Sequence, residues 1–314
     1  MKLIKPYFEI WEQPTGLEGA YKQIEKVGRV CYKSEDKITE DSAKPFVDRM
    51  IKSGHGAMLE HGTVYLEFHV KDPSEIGEEE YHSQQSELNK LISRYANNKY
   101  SIVKVNHYYD TVFITTNYRV LIENNWLKDL KYICEPTVFH EKRVTVHFVC
   151  DRGVSHEFVR HRVMSFAQES TRYCNYSKDK FGNELTFIIP EWCPEIREGS
   201  NKGWDPCSIY DKLYLQHLQN AENTYFALLK QWDERVPDKR YKSGFKNNPW
   251  TPQQARAVLP NSLKTELVVT GFTSDWNHFF DLRARGTTGA PHPQAKELAE
   301  PLMREFIARN YINN

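Results

Sequence analysis

The sequence predicts a mixed α and β fold, because strand-like and helix-like patterns alternate along the chain. Residues 64–70 and 144–150 alternate apolar and polar side chains, which is typical of half-buried strands. Apolar residues at helical spacing cover Gly19 to Cys31 and residues 205–233, which predicts two amphipathic helices. These patterns indicate a globular protein that buries the apolar faces of both kinds of element.

The other elements can be taken in order. Residues 1–14 read as a short strand-like start that Pro14 closes, and a second helix follows from Asp41 or Ser42 to Ile51. Within residues 72–142 we expect an acidic helix, a strand over 111–122 and a short helix over 124–134. Residues 154–162 read as a helix with Ser155 near its cap, and 187–190 as the end of a strand.

The last third of the chain has clear helix signals. Asp205 and Pro206 are a cap and first-turn pair that opens the helix reaching residue 233. Thr251 caps a short helix that Pro260 stops, and a strand after residue 265 leads to a helix capped near Ser274. A final helix is expected over residues 293–311.

Composition limits the class of protein. The 314 residues suffice for one large or two ordinary domains with a sizeable core. Lys and Arg together number 42, as do Asp and Glu, so the chain lacks the overall basic charge of a nucleic-acid binder. The six cysteines form no C-x-x-C pair, which favours reduced thiols in the cytoplasm. The sequence has no apolar leader and no long apolar run, so we expect no signal peptide and no membrane span.

A basic stretch from Arg160 to Tyr173, RHRVMSFAQESTRY, is the strongest functional signal. Its four basic side chains are interleaved with hydroxyls, and this mixture suits a ligand with several anionic oxygens. The alternative is a solvated basic face, which is what most charge clusters are. Apolar residues at 163, 164 and 166 indicate partial burial, and buried arginines need anionic partners.

The spacing of this stretch resembles the signature of the flavin-dependent thymidylate synthases. That signature is R-H-R, seven residues, S, one residue, R, and it matches Arg160-His161-Arg162, Ser170 and Arg172. Five fixed positions at set spacing make a chance match unlikely. The other landmarks of the family can then be sought along the chain.

A second landmark lies just before the strand at 64–70. His55, Glu60 and His61 would form H-x4-E-H as metal ligands, which matches no zinc signature, so we expect no metal site. Their positions resemble the family segment that helps to hold the flavin. The plainer alternative, in which Glu60 and His61 only cap a strand, stays open for each residue taken alone.

Two further landmarks lie near the C-terminus. Ala255 to Pro260 resembles the family's A-R-x-x-L-P segment, whose arginine, here Arg256, is implied to reach the nucleotide of a neighbouring subunit. Trp276, Phe280 and Arg283 share one helix stripe, and the matching family arginine lies against the pyrimidine and polarises it. The matching position of His278 contacts flavin, and His292 is the candidate for another flavin-contacting histidine.

The resemblance implies an α+β fold, with a twisted, mainly antiparallel sheet flanked by helices. It implies one domain over 1–314, in which residues 72–142 are an insertion with a structural or oligomer-edge role. It also implies a homotetramer with active sites shared between subunits. The implied reaction is reductive methylation of dUMP to dTMP, in which methylenetetrahydrofolate gives the one-carbon unit and NADPH reduces FAD.

The resemblance also assigns residues to ligands. The catalytic residue is Arg283. The residues implied to bind dUMP are Glu157, Arg160, Gln168, Glu169, Ser170, Thr171, Arg172, Arg256 and Arg283. The residues implied to bind FAD are His55, Ala57, Glu60, Arg160, His161, Arg162, Gln168, His278, Leu282 and His292.

Glu157 is placed by the predicted helix one turn before Arg160 and His161, so the three would share a face. Its carboxylate could orient Arg160 or accept from the imide N–H of a uracil ring, and a plain surface salt bridge is the alternative.

The sequence departs from the family at four positions. Ala57, Ala167, Thr171 and Phe272 stand where the family more often has Ser or Thr, a polar residue, Gly and Asn. Each departure weakens one flavin or phosphate contact.

Three rival interpretations remain from the residues. Cys174 abuts the basic stretch, where a thiolate nucleophile would be stabilised, and a cysteine-dependent pyrimidine methylase would use it. Ser170 could be a covalent nucleophile, although no base is placed beside it by the sequence. A non-catalytic nucleotide-binding module could use the same basic stretch without any flavin.

Overall fold

The protein is described from a computed structural model, which describes residues 1–198, 208–230 and 249–313. The chain divides into two compact units. The smaller unit comprises Met1–Tyr7, Val149–Phe158 and Glu169–Glu266, and the larger unit comprises Phe8–Phe148, Val159–Gln168 and Leu267–Asn314. The predicted cap at Asp205 and Pro206 lies outside the described residues.

Helices and strands are interspersed along the described chain. The strands are β1 (Lys2–Ile4), β2 (Tyr7–Trp11), β3 (Thr63–His69), β4 (Ile102–Asn106), β5 (Thr111–Asn117), β6 (Arg143–Asp151), β7 (Ser165–Gln168), β8 (Thr186–Ile188) and β9 (Lys264–Phe272). The α-helices are α1 (Gly16–Tyr32), α2 (Ala43–Lys52), α3 (Gly56–Leu59), α4 (Pro73–Ile76), α5 (Glu78–Ala96), α6 (Tyr118–Glu123), α7 (Arg152–Phe158), α8 (Pro194–Glu198), α9 (Ile209–Leu229), α10 (Pro252–Ala255), α11 (Thr273–Phe280) and α12 (Pro293–Ala308).

Shorter helical turns complete the described chain. Four are 3-10 turns, at Glu35–Lys37, Leu127–Tyr132, Asp179–Phe181 and Arg256–Val258. The fifth is a π-helical turn, Asp281–Arg285, which continues α11. The prediction of a mixed α+β fold is confirmed.

A three-stranded antiparallel sheet, ordered β3-β5-β4, belongs to the larger unit. Its register places Thr63 opposite Asn117 and His69 opposite Thr111. Residues 72–142 therefore supply two of its three strands. Apolar side chains of α1, α2, α5 and α6 pack with this sheet in one core.

A four-stranded sheet, ordered β2-β6-β9-β7, lies mostly in the larger unit. Strands β7 and β9 are antiparallel, with Ser165 opposite Thr270 and Gln168 opposite Leu267. Helix α1 packs here through Val27 and Val30, which join Ala167 and Val268 in an apolar cluster. Strand β7, which lies within the basic stretch, thus packs against α1.

Helices α1 and α2 approach each other at a glycine. A Cβ atom added to Gly28 would lie 2.5 Å from Cζ of Phe46, so a larger side chain would force the helices apart. The buried residues of α1, which include Ala20, Ile24 and Val27, repeat at helical spacing, as the sequence predicts.

The predicted aromatic stripe of α11 is core. Trp276 and Phe280 are fully buried and pack against Phe306 of α12. The indole Nε1 of Trp276 donates to the carbonyl oxygen of Val144 at 3.1 Å, which satisfies its only polar group. These contacts fix the helix that leads into the π-helical turn.

The smaller unit has its own sheet and core. Strands β1 and β8 are parallel, and the amide of Ile189 donates to the carbonyl oxygen of Ile4 at 2.9 Å. Helix α9 buries Leu218 and Tyr225 against Leu185 and Phe187. The N-terminal amine pairs with Glu222 of α9 at 3.0 Å.

Two predicted elements were wrong in extent. The strand expected over 111–122 ends at Asn117, because the Asn117 side chain accepts from the amide of Val120 at 3.1 Å and starts α6. The helix expected over 154–162 ends at Phe158, since residues 159–164 must turn the chain into β7. Arg160 and His161 therefore do not share a helix face with Glu157.

The described part of the chain contains no helix that is both long enough and apolar enough to span a membrane.

Substitution of Asp129 tests whether residues 72–142 have a structural role. Its fully buried carboxylate accepts from Arg94 Nη2 at 2.7 Å and from the Tyr95 hydroxyl at 2.9 Å. Asp129→Ala should lower the free energy of unfolding by about 2 kcal/mol, below the ~3–5 kcal/mol of a fully buried pair because Arg94 is partly exposed. Urea denaturation measures the change.

The matched control is Asp48→Ala, which removes an exposed i,i+4 partner of Lys44 and should cost less than ~0.5 kcal/mol. Equal effects of the two changes would contradict a structural role for Asp129.

Candidate functional site

The larger unit holds a side-chain cluster around the π-helical turn Asp281–Arg285. Arg283 Nε donates to His161 Nε2 at 3.1 Å. Single π turns inside α-helices occur frequently at functional sites, because they redirect side chains from the regular spiral. The contact joins the first half of the basic stretch to the predicted catalytic arginine.

His161 is held as a neutral donor. The residue is only 5% exposed. Burial is the main cause that lowers its pKa to about 4, and the charges of Arg283 and His278 act in the same direction. Since Nε2 accepts from Arg283, the ring proton is on Nδ1. Nδ1 is buried and has no hydrogen-bond partner among the described residues. A buried donor without a partner is costly, so the site favours a ligand with an acceptor here.

The surroundings of His161 are aromatic and cationic. Its ring centroid lies 4.9 Å from that of Phe279 and 6.0 Å from that of His278. His278 is exposed, as are Arg160 and Arg162 in the turn before β7. These donors fit a planar, anionic cofactor such as a flavin, and the orphaned Nδ1 of His161 is the observation that tests the fit.

The second landmark divides into an exposed and a buried part. His55 and Ala57 are exposed at the start of α3. The Glu60 carboxylate pairs with Arg119 of α6, and the Glu60 carbonyl accepts from Arg143 Nη1 at 3.0 Å. Glu60 is therefore oriented by residues that lie outside the landmark.

His61 takes part in a buried polar chain. Its Nδ1 lies 2.8 Å from Thr270 Oγ1, which lies 2.8 Å from Thr145 Oγ1. Burial, and then the charge of Arg143, lowers the pKa of His61 to about 3. His61 is fully buried, so its place is structural, consistent with the strand-capping alternative.

Arg143 is a buried cation beside Phe272. Its guanidinium donates to Thr63 Oγ1 at 3.3 Å and to Ser165 Oγ at 3.4 Å, and its carbon lies 5.5 Å from the Phe272 ring centroid. Burial lowers the pKa of Arg143 to about 10. Phe272, one of the departures from the family pattern, thus covers a buried guanidinium.

The second half of the basic stretch lies in the smaller unit. The Glu169 carboxylate accepts from the Tyr176 hydroxyl at 2.9 Å and from Lys264 Nζ at 2.9 Å. Ser170 Oγ accepts from the amide of Arg172 at 3.3 Å, and the Arg172 side chain is exposed. Ser170 and Arg172 thus form a small turn that presents a guanidinium to solvent.

The remaining predicted site residues lie in varied settings. Glu157 is half-buried in α7, and Gln168 is half-buried at the end of β7. Arg256 is exposed at the start of a 3-10 turn, and His292 is exposed just before α12. Leu282 is half-buried in the π-helical turn. Thr171 is buried, with 7% exposure.

Sequence reasoning missed several residues that shape these clusters, namely Arg119, Arg143, Tyr176 and Lys264. None lies in a motif, and each is identified only by its contact with a motif residue. A basic residue at the start of a strand that is rich in apolar side chains, such as Arg143 on β6 or Lys264 on β9, was the available signal.

Within the described residues, no three or more His, Cys, Asp or Glu side chains are arranged to hold a metal ion.

One known protein family matches most of the last two thirds of the chain. Residues 115–309 match the family described as thymidylate synthase complementing protein, and this match covers more than half of the chain. The chain therefore belongs to the thymidylate synthase complementing protein family. This confirms the family resemblance drawn from the basic stretch.

Individual relatives are moderately similar. The chain is 31% identical over 136 residues to the flavin-dependent thymidylate synthase of Corynebacterium efficiens, covering 42% of this chain and 46% of that protein. It is 26% identical over 180 residues to the enzyme of the same name from Corynebacterium diphtheriae, covering 56% and 62%. For that of Thermococcus onnurineus the identity is 32% over 135 residues, covering 43% of each. The chain thus spans about half the length of these relatives.

Among solved structures, the chain is similar to the UMP/dUMP methylase PolB from Streptomyces cacaoi bound with 5-Br dUMP. The TM-score is 0.41 at 15% sequence identity, with 98% of this chain and 93% of that chain covered.

Two of the buried histidines, His61 and His161, predict acid lability. Their folded pKa values of about 3 and about 4 lie below the ordinary value of about 6.5, so the unfolded chain binds more protons. The contribution of these histidines to the free energy of unfolding should be fully present above pH ~6.5. It should fall as the pH drops towards ~4, by up to ~1.4 kcal/mol per pH unit for each histidine. Denaturant midpoints at pH 7.5, 6 and 5 measure this.

The double variant His61→Gln/His161→Gln should flatten the pH slope, whereas His82→Gln, which alters an exposed imidazole, should leave it unchanged. An equal slope in the double variant and the parent would refute the assignment.

Proposed function

We propose that this protein catalyses the reductive methylation of dUMP to dTMP with a bound FAD. The observation that carries the proposal is the contact of Arg283 with the neutral, buried His161. The contact joins the family signature to a guanidinium that is fixed at one nitrogen. Family membership supports the same activity.

Arg283 is the residue proposed to act on the pyrimidine. As carbon 5 of uracil becomes nucleophilic, negative charge grows on the ring, and a preorganised guanidinium stabilises it without reorganising. The His161 contact restricts the Arg283 side chain before substrate arrives. When bound, reduced FAD supplies the hydride that converts the transferred one-carbon unit of methylenetetrahydrofolate into a methyl group, with NADPH as the reductant.

The residues proposed to hold the flavin include His161 itself. His161 offers its Nδ1 proton, and Arg160, Arg162 and His278 offer exposed donors. His55, Ala57, Glu60, Leu282 and His292 remain proposed flavin contacts, and Gln168 is proposed for both ligands. The Arg119 pair orients the Glu60 carboxylate for such a contact.

The dUMP phosphate is assigned to Ser170, the amide of Thr171 and Arg172. An exposed guanidinium beside a hydroxyl suits phosphate, and Arg256, which is also exposed, is proposed to reach the nucleotide of a neighbouring subunit. Glu157 is proposed to meet the imide N–H of the uracil ring. The proposed assembly is a homotetramer.

Cys174 is not assigned a role in the chemistry. The residue is 1% exposed and packs in a core with Tyr176, Leu185 and Tyr225, which keeps its sulfur away from solvent. The five cysteines of the described chain are free thiols, which supports a reducing compartment for the enzyme.

The proposed activity is tested by adding FAD to the purified protein, desalting it and recording the visible spectrum before and after dUMP titration. A retained flavin spectrum that shifts with dUMP is the expected result. Binding of dUMP without retained flavin would overturn the redox mechanism and leave a nucleotide-binding module.

Arg283→Ala should lower kcat for dTMP formation by about 100-fold or more, the usual loss when one preorganised donor to a developing charge is removed. The matched control is Arg285→Ala in the same π-helical turn, whose guanidinium pairs with Asp281 at 2.9 Å. Chromatographic detection of dTMP measures both variants, and equal losses would reject the assignment of Arg283.

Cys174→Ala should retain kcat within about twofold, while the lost packing lowers the melting temperature by a few degrees. The same dTMP assay and a thermal melt check this. Loss of turnover in a folded Cys174→Ala protein would favour the cysteine-dependent methylase.

A further inference from the structure

The residue that precedes the signature serine is not free to contact substrate. The Glu169 side chain is 1% exposed, and its two oxygens accept from the Tyr176 hydroxyl and from Lys264 Nζ, each at 2.9 Å. A buried carboxylate whose two oxygens both accept hydrogen bonds inside the protein has a structural role. Breaking these bonds would cost more free energy than a single hydrogen bond to a ligand would restore.

We propose that Glu169, Tyr176 and Lys264 form a positioning network that holds the Ser170–Arg172 turn in the shape that binds the dUMP phosphate. The inference rests on the proposed function and deepens it. It replaces the expectation from the family resemblance that Glu169 itself binds dUMP.

The network closes the loop that carries the turn. Tyr176 is seven residues beyond Glu169, so their hydrogen bond joins the two ends of the segment. The Glu169 amide also donates to the Glu266 carbonyl of β9 at 2.8 Å. Inside the loop, the amides of Tyr173 and Cys174 both donate to the Ser170 carbonyl, at 3.2 and 2.9 Å. The turn is thus fixed at its base while Arg172 stays exposed.

Lys264 also neutralises the negative charge beside the Ser170–Arg172 turn. Its ammonium lies 2.9 Å from Glu169 and 2.6 Å from Glu266, so one cation serves two carboxylates. Burial lowers the pKa of Lys264, but the two carboxylates outweigh burial and raise it above its ordinary value. Without Lys264, two mostly buried negative charges would remain next to a turn that must accept a phosphate dianion.

The network is tested by calorimetric titration of dUMP into the full-length protein, together with steady-state KM and kcat. Tyr176→Phe should weaken dUMP binding about fivefold, the factor expected for one hydrogen bond, with kcat little changed. The matched control is Tyr225→Phe, which removes a hydroxyl from the same core and should leave dUMP affinity unchanged.

Lys264→Met should weaken dUMP binding by at least tenfold, and Lys264→Arg should restore it to within about threefold of the parent. The double variant Glu169→Leu/Lys264→Met should bind dUMP more tightly than Lys264→Met alone, because it removes the unpaired charge. Retention of FAD, read from the visible spectrum, should be the same in every variant.

If the parent binds dUMP and both Tyr176→Phe and Lys264→Met bind it equally well, the network is only structural and the inference is wrong. A parent protein that binds no dUMP would instead overturn the proposed function, and the inference with it. Tyr176→Phe decides the question if the charge variants fail to fold, since it removes a single oxygen atom.

Discussion

The interior of the larger unit depends on a buried hydrogen-bond network around two basic side chains, His61 and Arg143. His61, Thr270 and Thr145 form one hydrogen-bonded chain, and Arg143 lies beside it with hydroxyl and carbonyl partners. Burial keeps the imidazole of His61 uncharged near neutral pH, so a neutral side chain can join the segment before β3 to Thr270 of β9. These contacts fix the segment before β3 and the strand β9 that leads to α11.

Helix α11 connects these fixed strands to the candidate site. Its Trp276 is fully buried and hydrogen-bonded to β6, so the helix cannot rotate without losing both packing and a hydrogen bond. The π-helical turn that follows then directs Arg283 to His161. The buried aromatic side chains of α11 therefore position a cation. Fixing a charge in this way before substrate binds lowers the free energy of reorganisation during the reaction.

Residues 72–142 are integrated into the larger unit. Two of their strands extend β3 into a sheet, their Asp129 neutralises Arg94 internally, and their Arg119 pairs with Glu60 of the predicted flavin segment. The segment thus completes a sheet and holds in place a residue of the predicted flavin segment. That it is an insertion stays a prediction from the resemblance.

The sequence by itself determined the mixed fold class, most helices and strands, and the family, because periodicity and motif spacing are local properties. Anion binding by the basic stretch stays a prediction. Only the tertiary structure decided which side chains of that stretch are engaged internally. It buried His161 against Arg283 and paired Glu169 with Lys264, 95 residues away in sequence. It also ended the strand at Asn117, where a capping side chain overrode the alternating pattern. Such outcomes depend on contacts between distant residues and on desolvation, which a local pattern does not encode.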